Sequence, residues 1–139
     1  MPAAITLSQI TKKALITMDA RTIAIEIAKG RDFYLSLGDF LDDFYRADNK
    51  LRYAMLETPP DFTINRIHLA YLASAVHKLA NDYGFKTPAW VFDERCYLRD
   101  MPFFGCNAKG NLRLLFMYKS PAEFKHRNLF VDENVLRRV

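Results

Sequence analysis

Residues 63–83 constrain the fold more than any other part of the chain. Their apolar residues recur at steps of three and four, which places them on one broad face of a long helix. Asp61 or Thr63 can cap the start of this helix, and Gly84 can end it in a left-handed conformation. An isolated helix of this kind is marginal in water, so the sequence predicts that other segments pack around it. The apolar face consists of Ile64, Ile67, Tyr71, Leu72, Ala75, Val76, Leu79 and Ala80.

The residues ahead of that stretch predict several shorter helices. Residues 6–18 have a helical apolar pattern, residues 32–47 form the clearest amphipathic helix, and residues 49–57 form a further short helix. The consecutive prolines Pro59 and Pro60 then force a break, because proline lacks the backbone N–H and restricts the residue before it. The residues expected to face inward from the amphipathic helix are Phe33, Leu37, Phe40, Leu41 and Phe44.

Residues 20–37 are ambiguous between a helix and a hairpin. The alternation of Ile23, Ile25 and Ile27 is typical of a strand, and a hairpin turning through residues 29–32 would follow from it. Alanine, glutamate and lysine fill the other positions and favour a helix. The sequence therefore predicts a helix here, with the hairpin as the alternative.

The last third of the chain differs from the rest in composition and in its predicted structure. Residues 85–111 are loop-rich and aromatic, whereas residues 112–118 predict a buried element, with helix preferred over strand. Ser120 and Glu123 match a capping box, with a proline at the first helical position between them. Residues 132–138 place acids first and bases last, which predicts a short final helix.

These segments together predict an all-α protein: a compact bundle of about six to eight helices around residues 63–83, in a single helical domain over residues 1–139. The longest uncharged apolar run is about half of a membrane span. The N-terminal residues lack the basic and apolar regions of a signal peptide. Cys96 and Cys106 fit no CxxC motif, and free thiols are typical of a reducing compartment. We therefore expect a cytoplasmic protein with no membrane partner.

Residue patterns that would support catalysis or metal binding are not found. His68 and His77 lie nine residues apart, on roughly opposite sides of a helix, so they cannot share a metal ion. Asp39, Asp42 and Asp43 share a helix face but are expected there as solvated acids. Glycine-rich phosphate loops, zinc spacings and nucleophile elbows are absent from the sequence. We predict no catalytic residue, no cofactor and no metal.

The charge of the chain is concentrated near its end. From Lys109 onward there are seven lysines and arginines against three acids, an excess equal to the formal net charge of +4 of the whole chain. Such a region can face an acidic partner or nucleic acid, and it can also be a solvated surface.

A series of short motifs in residues 84–139 resembles a known family. They are Gly84-Phe85, Pro88-Ala89-Trp90, Leu98, Pro102-Phe103-Phe104, Ser120-Pro121-Ala122-Glu123-Phe124, Arg127-Asn128, Phe130-Val131 and Leu136-Arg137. This pattern resembles the C-terminal module of uncharacterised bacterial proteins, and a looser match extends it to residues 31–139. Many of those proteins carry an N-terminal helix-turn-helix, and some look like the regulatory or antitoxin partner in toxin–antitoxin pairs.

The resemblance implies a non-enzymatic, helical regulatory or interaction module of antitoxin-like type. This chain shows no convincing helix-turn-helix, because its candidate recognition segment is mostly apolar, so direct DNA reading is not carried over. The predicted partner is another protein, a toxin-like one by the resemblance. Nucleic-acid binding through the basic C-terminal third is the first alternative, and a small enzyme or ligand binder is the second. The candidate partner-binding residues are the anchors Trp90 and Phe104 and the cations Arg113, Lys125, Arg127 and Arg138. The alternative for Trp90 and Phe104 is a place in the core, and the alternative for Arg127 is a bond to a helix end or a carboxylate inside the fold.

Overall fold

The structure is a computed structural model that describes residues 18–138. Over these residues the chain is mostly helical with one pair of very short strands, which confirms the predicted all-α class at this level. The helix predicted over residues 6–18 lies outside the described residues, apart from Met18. The helices are α1 (Ala20–Ala28), α2 (Phe33–Arg46), α3 (Asn49–Glu57), α4 (Arg66–Asp82), α5 (Asn111–Lys119) and α6 (Ala122–Lys125), and the strands are β1 (Phe103–Phe104) and β2 (Leu129–Phe130).

The chain divides into two compact units, the first ending at Pro60 and the second beginning at Asp61. The boundary therefore coincides with the proline pair that ends the run of helices in the first unit. The single domain expected from the sequence stays a prediction.

An aspartate caps the start of each of the helices α1, α2 and α3. The side chains of Asp19, Asp32 and Asp48 accept hydrogen bonds from the third backbone N–H beyond them, at 2.8, 3.0 and 2.9 Å respectively. Each bond satisfies a donor that a helix start leaves without a partner. Residues 20–28 and 33–46 are both helical, so the helix was the correct reading of the ambiguous segment and the hairpin is excluded.

The inward face of α2 is the one that the sequence predicts, with all five of its large apolar residues buried. The Arg52 side chain closes the end of this helix, since its Nε and Nη2 atoms each donate to a carbonyl, of Phe44 and Tyr45, at 2.9 Å. Its guanidinium also lies 5.4 Å from the centre of the Phe44 ring. A cation at a helix C-terminus both satisfies orphan carbonyls and complements the helix dipole.

Helix α4, in the second unit, covers most of the long segment predicted from the sequence. It begins at Arg66, a few residues later than expected, because Asn65 caps it by accepting from Ile67 N at 2.9 Å. Asp61 instead accepts from Thr63 N at 2.9 Å in a local turn, so the predicted capping by Asp61 or Thr63 was wrong.

The end of α4 is as predicted. Gly84 has a φ of +72°, and Phe85 N donates to Ala80 O at 2.8 Å. This is the bond of a Schellman ending, which needs the left-handed conformation that glycine adopts without strain.

Nearly every face of α4 is buried along its middle, which the alanines and Ser74 at its centre allow. Within the second unit it packs against the short 3₁₀ turns Ala89–Phe92 and Glu94–Cys96 and against α6. The strands pair in parallel with Phe103 opposite Leu129, and they join the aromatic loop to the chain that follows α6.

The sequence predicts that Ser120 starts a helix through a capping box, but the structure does not have this box. The Oγ atom of Ser120 lies 2.6 Å from Phe116 O at the end of α5 and accepts from Val131 N at 2.7 Å, so it fastens α5 to the chain after β2. Glu123 bonds to Asn81 instead of reaching back. The final helix predicted over residues 132–138 is a pair of turns. The capping-box prediction failed because Ser120 and Glu123 bond to residues outside the predicted helix. In residues 132–138, Asp132 Oδ1 instead accepts from Asn134 N at 3.0 Å in a local turn.

Candidate functional site

Helix α5 exposes most of its apolar residues. We call its five exposed apolar side chains the α5 surface: Leu112, Leu114, Leu115, Met117 and Tyr118, with exposed fractions of 41%, 63%, 48%, 46% and 79%. The helix lies where it was predicted, but its predicted burial was wrong, because among its apolar residues only Phe116 is buried. A helix that is apolar all round normally belongs to a core. Contiguous exposed apolar surface of this kind marks an interaction site.

Helix α5, which carries the α5 surface, is held in place by several contacts. Gly110, with φ +55° and ψ −129°, starts the helix in a conformation that suits glycine. Arg113 Nε donates to Ala108 O at 2.8 Å, and its guanidinium lies 4.5 Å from the centre of the Phe104 ring. Phe104 in turn stacks on Phe130, with ring centres 5.2 Å apart. The helix is therefore held at its start and along one side while its apolar side chains face outward.

Positive charge accompanies the α5 surface. Lys109 precedes the helix, Arg113 and Lys119 belong to it, and Lys125 Nζ donates to Tyr118 O at 3.1 Å. Lys119 lies 3.6 Å from Glu133. Four cations thus lie on or next to α5, which favours a positive potential at this surface.

The structure separates the six residues that the sequence offers as partner contacts. Trp90 is buried and packs edge-on against Phe62, with ring centres 6.4 Å apart. Phe104 and Arg113 contact each other near the start of α5, Lys125 contacts Tyr118 near its end, and Arg138 is exposed. Arg127 is fully buried. A partner-binding role for the six stays a prediction, and Trp90 and Arg127 have no exposed side chain to offer.

Arg127 is held inside the fold by neutral groups. Its Nη1 donates to Glu123 O at 3.0 Å and to His77 Nδ1 at 3.1 Å, and its Nη2 donates to Val91 O at 2.9 Å. The guanidinium carbon lies 4.8 Å from the centre of the Tyr97 ring. Nε has no hydrogen-bond partner in the described part of the chain. This matches the alternative that an arginine here bonds a helix end inside the fold.

Contact with Arg127 fixes the protonation of His77. A guanidinium can only donate, so Nδ1 of His77 must accept and the ring proton sits on Nε2. Burial, followed by the charge of Arg127, lowers the pKa of His77, which keeps the ring neutral at physiological pH. The edge-on contact with Phe92, at 5.1 Å between ring centres, also restrains the ring.

His77 lines an open groove in the second unit. We call it the His77 groove; it has a volume of about 620 Å³ and is lined by His77, Asn81, Ser120, Ala122, Glu123, Lys125 and His126. Asn81 Nδ2 donates to Glu123 Oε2 at 2.8 Å. Burial pushes the pKa of Glu123 upward, but the Asn81 bond and the Lys78 charge outweigh it, and the net pKa is lowered. The groove therefore holds an ionised carboxylate beside a neutral histidine.

Cys96 is buried and is not an activated nucleophile. Its Sγ lies 3.6 Å from Trp90 O, and burial raises the pKa of the thiol to about 11. A reactive cysteine needs a lowered pKa and access to solvent. Within residues 18–138 no three His, Cys, Asp or Glu side chains are arranged to hold a metal ion. In the same part of the chain, no helix has the length and apolarity needed to cross a bilayer.

The two thiols are expected to differ in reactivity. At pH 8 we expect Cys106, which is exposed, to react with a thiol reagent at least about 100-fold faster than Cys96. The rate of labelling, followed by mass spectrometry with and without denaturant, measures this difference. Cys106→Ser should leave a single slow thiol that becomes fast on unfolding, and a fast thiol in that folded variant would contradict the burial of Cys96.

Comparisons with known proteins do not identify the chain: no family model matches it, and neither curated proteins nor solved structures give a significant match. The antitoxin-like resemblance seen in the sequence therefore stays a prediction.

Proposed function

We propose that this protein is a non-enzymatic interaction module that binds an acidic, apolar-faced segment of another protein through the α5 surface. The observation that carries the proposal is the row of five exposed apolar side chains on α5. Burying apolar surface contributes about 25 cal/mol per Å², so a partner that covers these side chains gains substantial binding energy. Aromatic and aliphatic anchors on a rigid element are also the usual centre of an interface.

Charge favours an acidic partner over a second copy of the chain. Two copies joined through α5 would bring the cations around Arg113 and Lys119 close to each other, and like charges across an interface cost binding energy. An amphipathic helix with an apolar stripe and flanking carboxylates would place opposite charges there. Helices of this kind commonly dock on an apolar surface through anchors at steps of three and four.

The proposal includes the finer expectations of the sequence. These are a regulatory, antitoxin-like role with a toxin-like protein as the partner, a bacterial and cytoplasmic setting, and a bundle of about six to eight helices around α4. The support for them is the motif resemblance and the helical periodicity, and the α5 surface adds a place for a partner to bind.

Selection of peptides on the immobilised chain tests the chemistry of the partner. From a random peptide library we expect enrichment of sequences with apolar residues at helical spacing and an excess of aspartate and glutamate. Enrichment of basic sequences, or of sequences without an apolar pattern, would contradict the proposal. Sedimentation of the chain alone should show a monomer, and a tight dimer that masks α5 would also contradict it.

Nucleic-acid binding through the basic C-terminal third remains the alternative function. Arg127 is buried and cannot contact phosphates, which leaves six of the seven cations counted from Lys109 onward. Binding of this kind depends on phosphate contacts and falls steeply with salt. A gel shift at low salt separates the two functions, because the interaction module should leave random DNA unshifted.

A further inference from the structure

The His77 groove has the features of a ligand site, and it shares Lys125 with the charged surroundings of the α5 surface. Its volume of about 620 Å³ lies within the usual range of small-molecule sites, which are roughly 300–1,000 Å³. Its polar groups come from two different elements, α4 and the segment around α6. Because residues far apart in the sequence converge on one space, the groove is more than the surface of a single helix.

Hydrogen-bond donors and positive charge surround much of the groove. His77 lines the groove and carries its ring proton on Nε2, since its other ring nitrogen accepts from Arg127. Lys125 and His126 line the same space. Arg127 lies directly behind His77 and Glu123, and its hydrogen-bond partners are neutral, so its charge is not cancelled by them. These groups together favour an anionic oxygen group in the groove.

Glu123 supplies the complementary acceptor. Asn81 engages its Oε2 atom at 2.8 Å and so holds the carboxylate in one orientation. The other oxygen, Oε1, is the one that Asn81 does not engage. An ammonium or hydroxyl group on a ligand can donate to such a carboxylate, and a bare anion would be repelled by it. The groove therefore discriminates between a simple anion and one that also carries a donor.

We propose that the His77 groove binds a small organic acid that carries an amino or hydroxyl group beside its carboxylate. The ligand carboxylate accepts from His77 Nε2 and Lys125, and its amino or hydroxyl group donates to Glu123. The remainder of the ligand lies along the apolar wall at Ala122. The inference stands on the groove residues and does not depend on what binds the α5 surface.

Four small probes test this site by titration of the wild-type protein, followed through the imidazole resonances of His77 and His126 in NMR spectra. Glycine and lactate carry both groups, acetate carries the anion alone, and ethanolamine carries the donor without a carboxylate. We expect saturable shifts with glycine or lactate at affinities at least about tenfold higher than with acetate, and none with ethanolamine. Equal binding of acetate, or no saturable shift with any probe, would overturn the proposal.

The variant Glu123→Gln distinguishes a ligand amino group from a ligand hydroxyl group as the donor to residue 123. The variant keeps an acceptor oxygen but removes the charge, so binding of glycine should weaken about tenfold while binding of lactate changes little. Lys125→Met should weaken both. Glu94→Gln is the matched control, because Glu94 is exposed in the 3₁₀ turn Glu94–Cys96 and does not line the groove. If the Glu94 variant matches the Glu123 variant in its effect, the proposed contact is wrong.

Discussion

Replacing Arg127 with methionine should lower the free energy of unfolding by about 3–5 kcal/mol, because three buried acceptors lose their donor. The substitution leaves His77 Nδ1 and the carbonyls of Glu123 and Val91 without the donor that now satisfies them. Each buried polar group left without a partner costs roughly 1–3 kcal/mol. Methionine fills part of the space of the aliphatic stem, so the loss reflects the missing hydrogen bonds more than a cavity.

Urea unfolding followed by circular dichroism measures this loss, and Arg113→Met provides the matched control. Arg113 is exposed and makes one carbonyl bond, to Ala108, besides its contact with the Phe104 ring. We expect the control to lose about 1 kcal/mol, because it removes a single hydrogen bond from an exposed side chain. If the two variants lose the same stability, Arg127 does not organise the interior of the second unit. Arg127→Lys should recover little, because an ammonium cannot reproduce the guanidinium fork.

The double substitution Leu114→Gln and Tyr118→Ser should weaken binding of an acidic amphipathic peptide by about 30-fold or more. Truncating a central interface anchor costs about 2 kcal/mol or more, and tyrosine is a frequent anchor. Both side chains are largely exposed, so the folded state should keep its stability. Fluorescence anisotropy of a labelled peptide selected on the wild-type chain measures the affinity.

Leu35→Gln is the control for that experiment. Leu35 is also a helical leucine with an exposed fraction of 63%, the same as Leu114, but it belongs to α2 in the first unit. Its substitution should leave peptide binding unchanged. An equal loss of affinity in this variant would mean that general surface apolarity, and not the α5 surface, holds the peptide.

Periodicity predicted helix positions well wherever burial follows the helical repeat. The inward face of α2 and the glycine end of α4 are both where the sequence places them. The start of α4 was missed because Asp61, Thr63 and Asn65 are all suitable caps, and only the folded chain decides among them.

Burial was harder to predict than helicity in the C-terminal third. An all-round apolar helix looks the same in sequence whether it serves a core or a partner, so the exposure of α5 was missed. The five consecutive apolar positions after Arg113 were the feature of the sequence that could have indicated this exposure. Arg127 was offered both as a partner-contacting cation and as an interior hydrogen-bond donor, because charge alone does not show that His77, fifty residues away, accepts its hydrogen bond.

Hydrogen exchange of the wild-type chain, with and without a saturating acidic amphipathic peptide, tests the central claim most directly. If α5 is the interaction surface, the amides of residues 111–119 should gain the strongest protection, and a peptide with lysines in place of its acids should give none. Protection centred on other residues, or equal protection by the basic peptide, would contradict the claim.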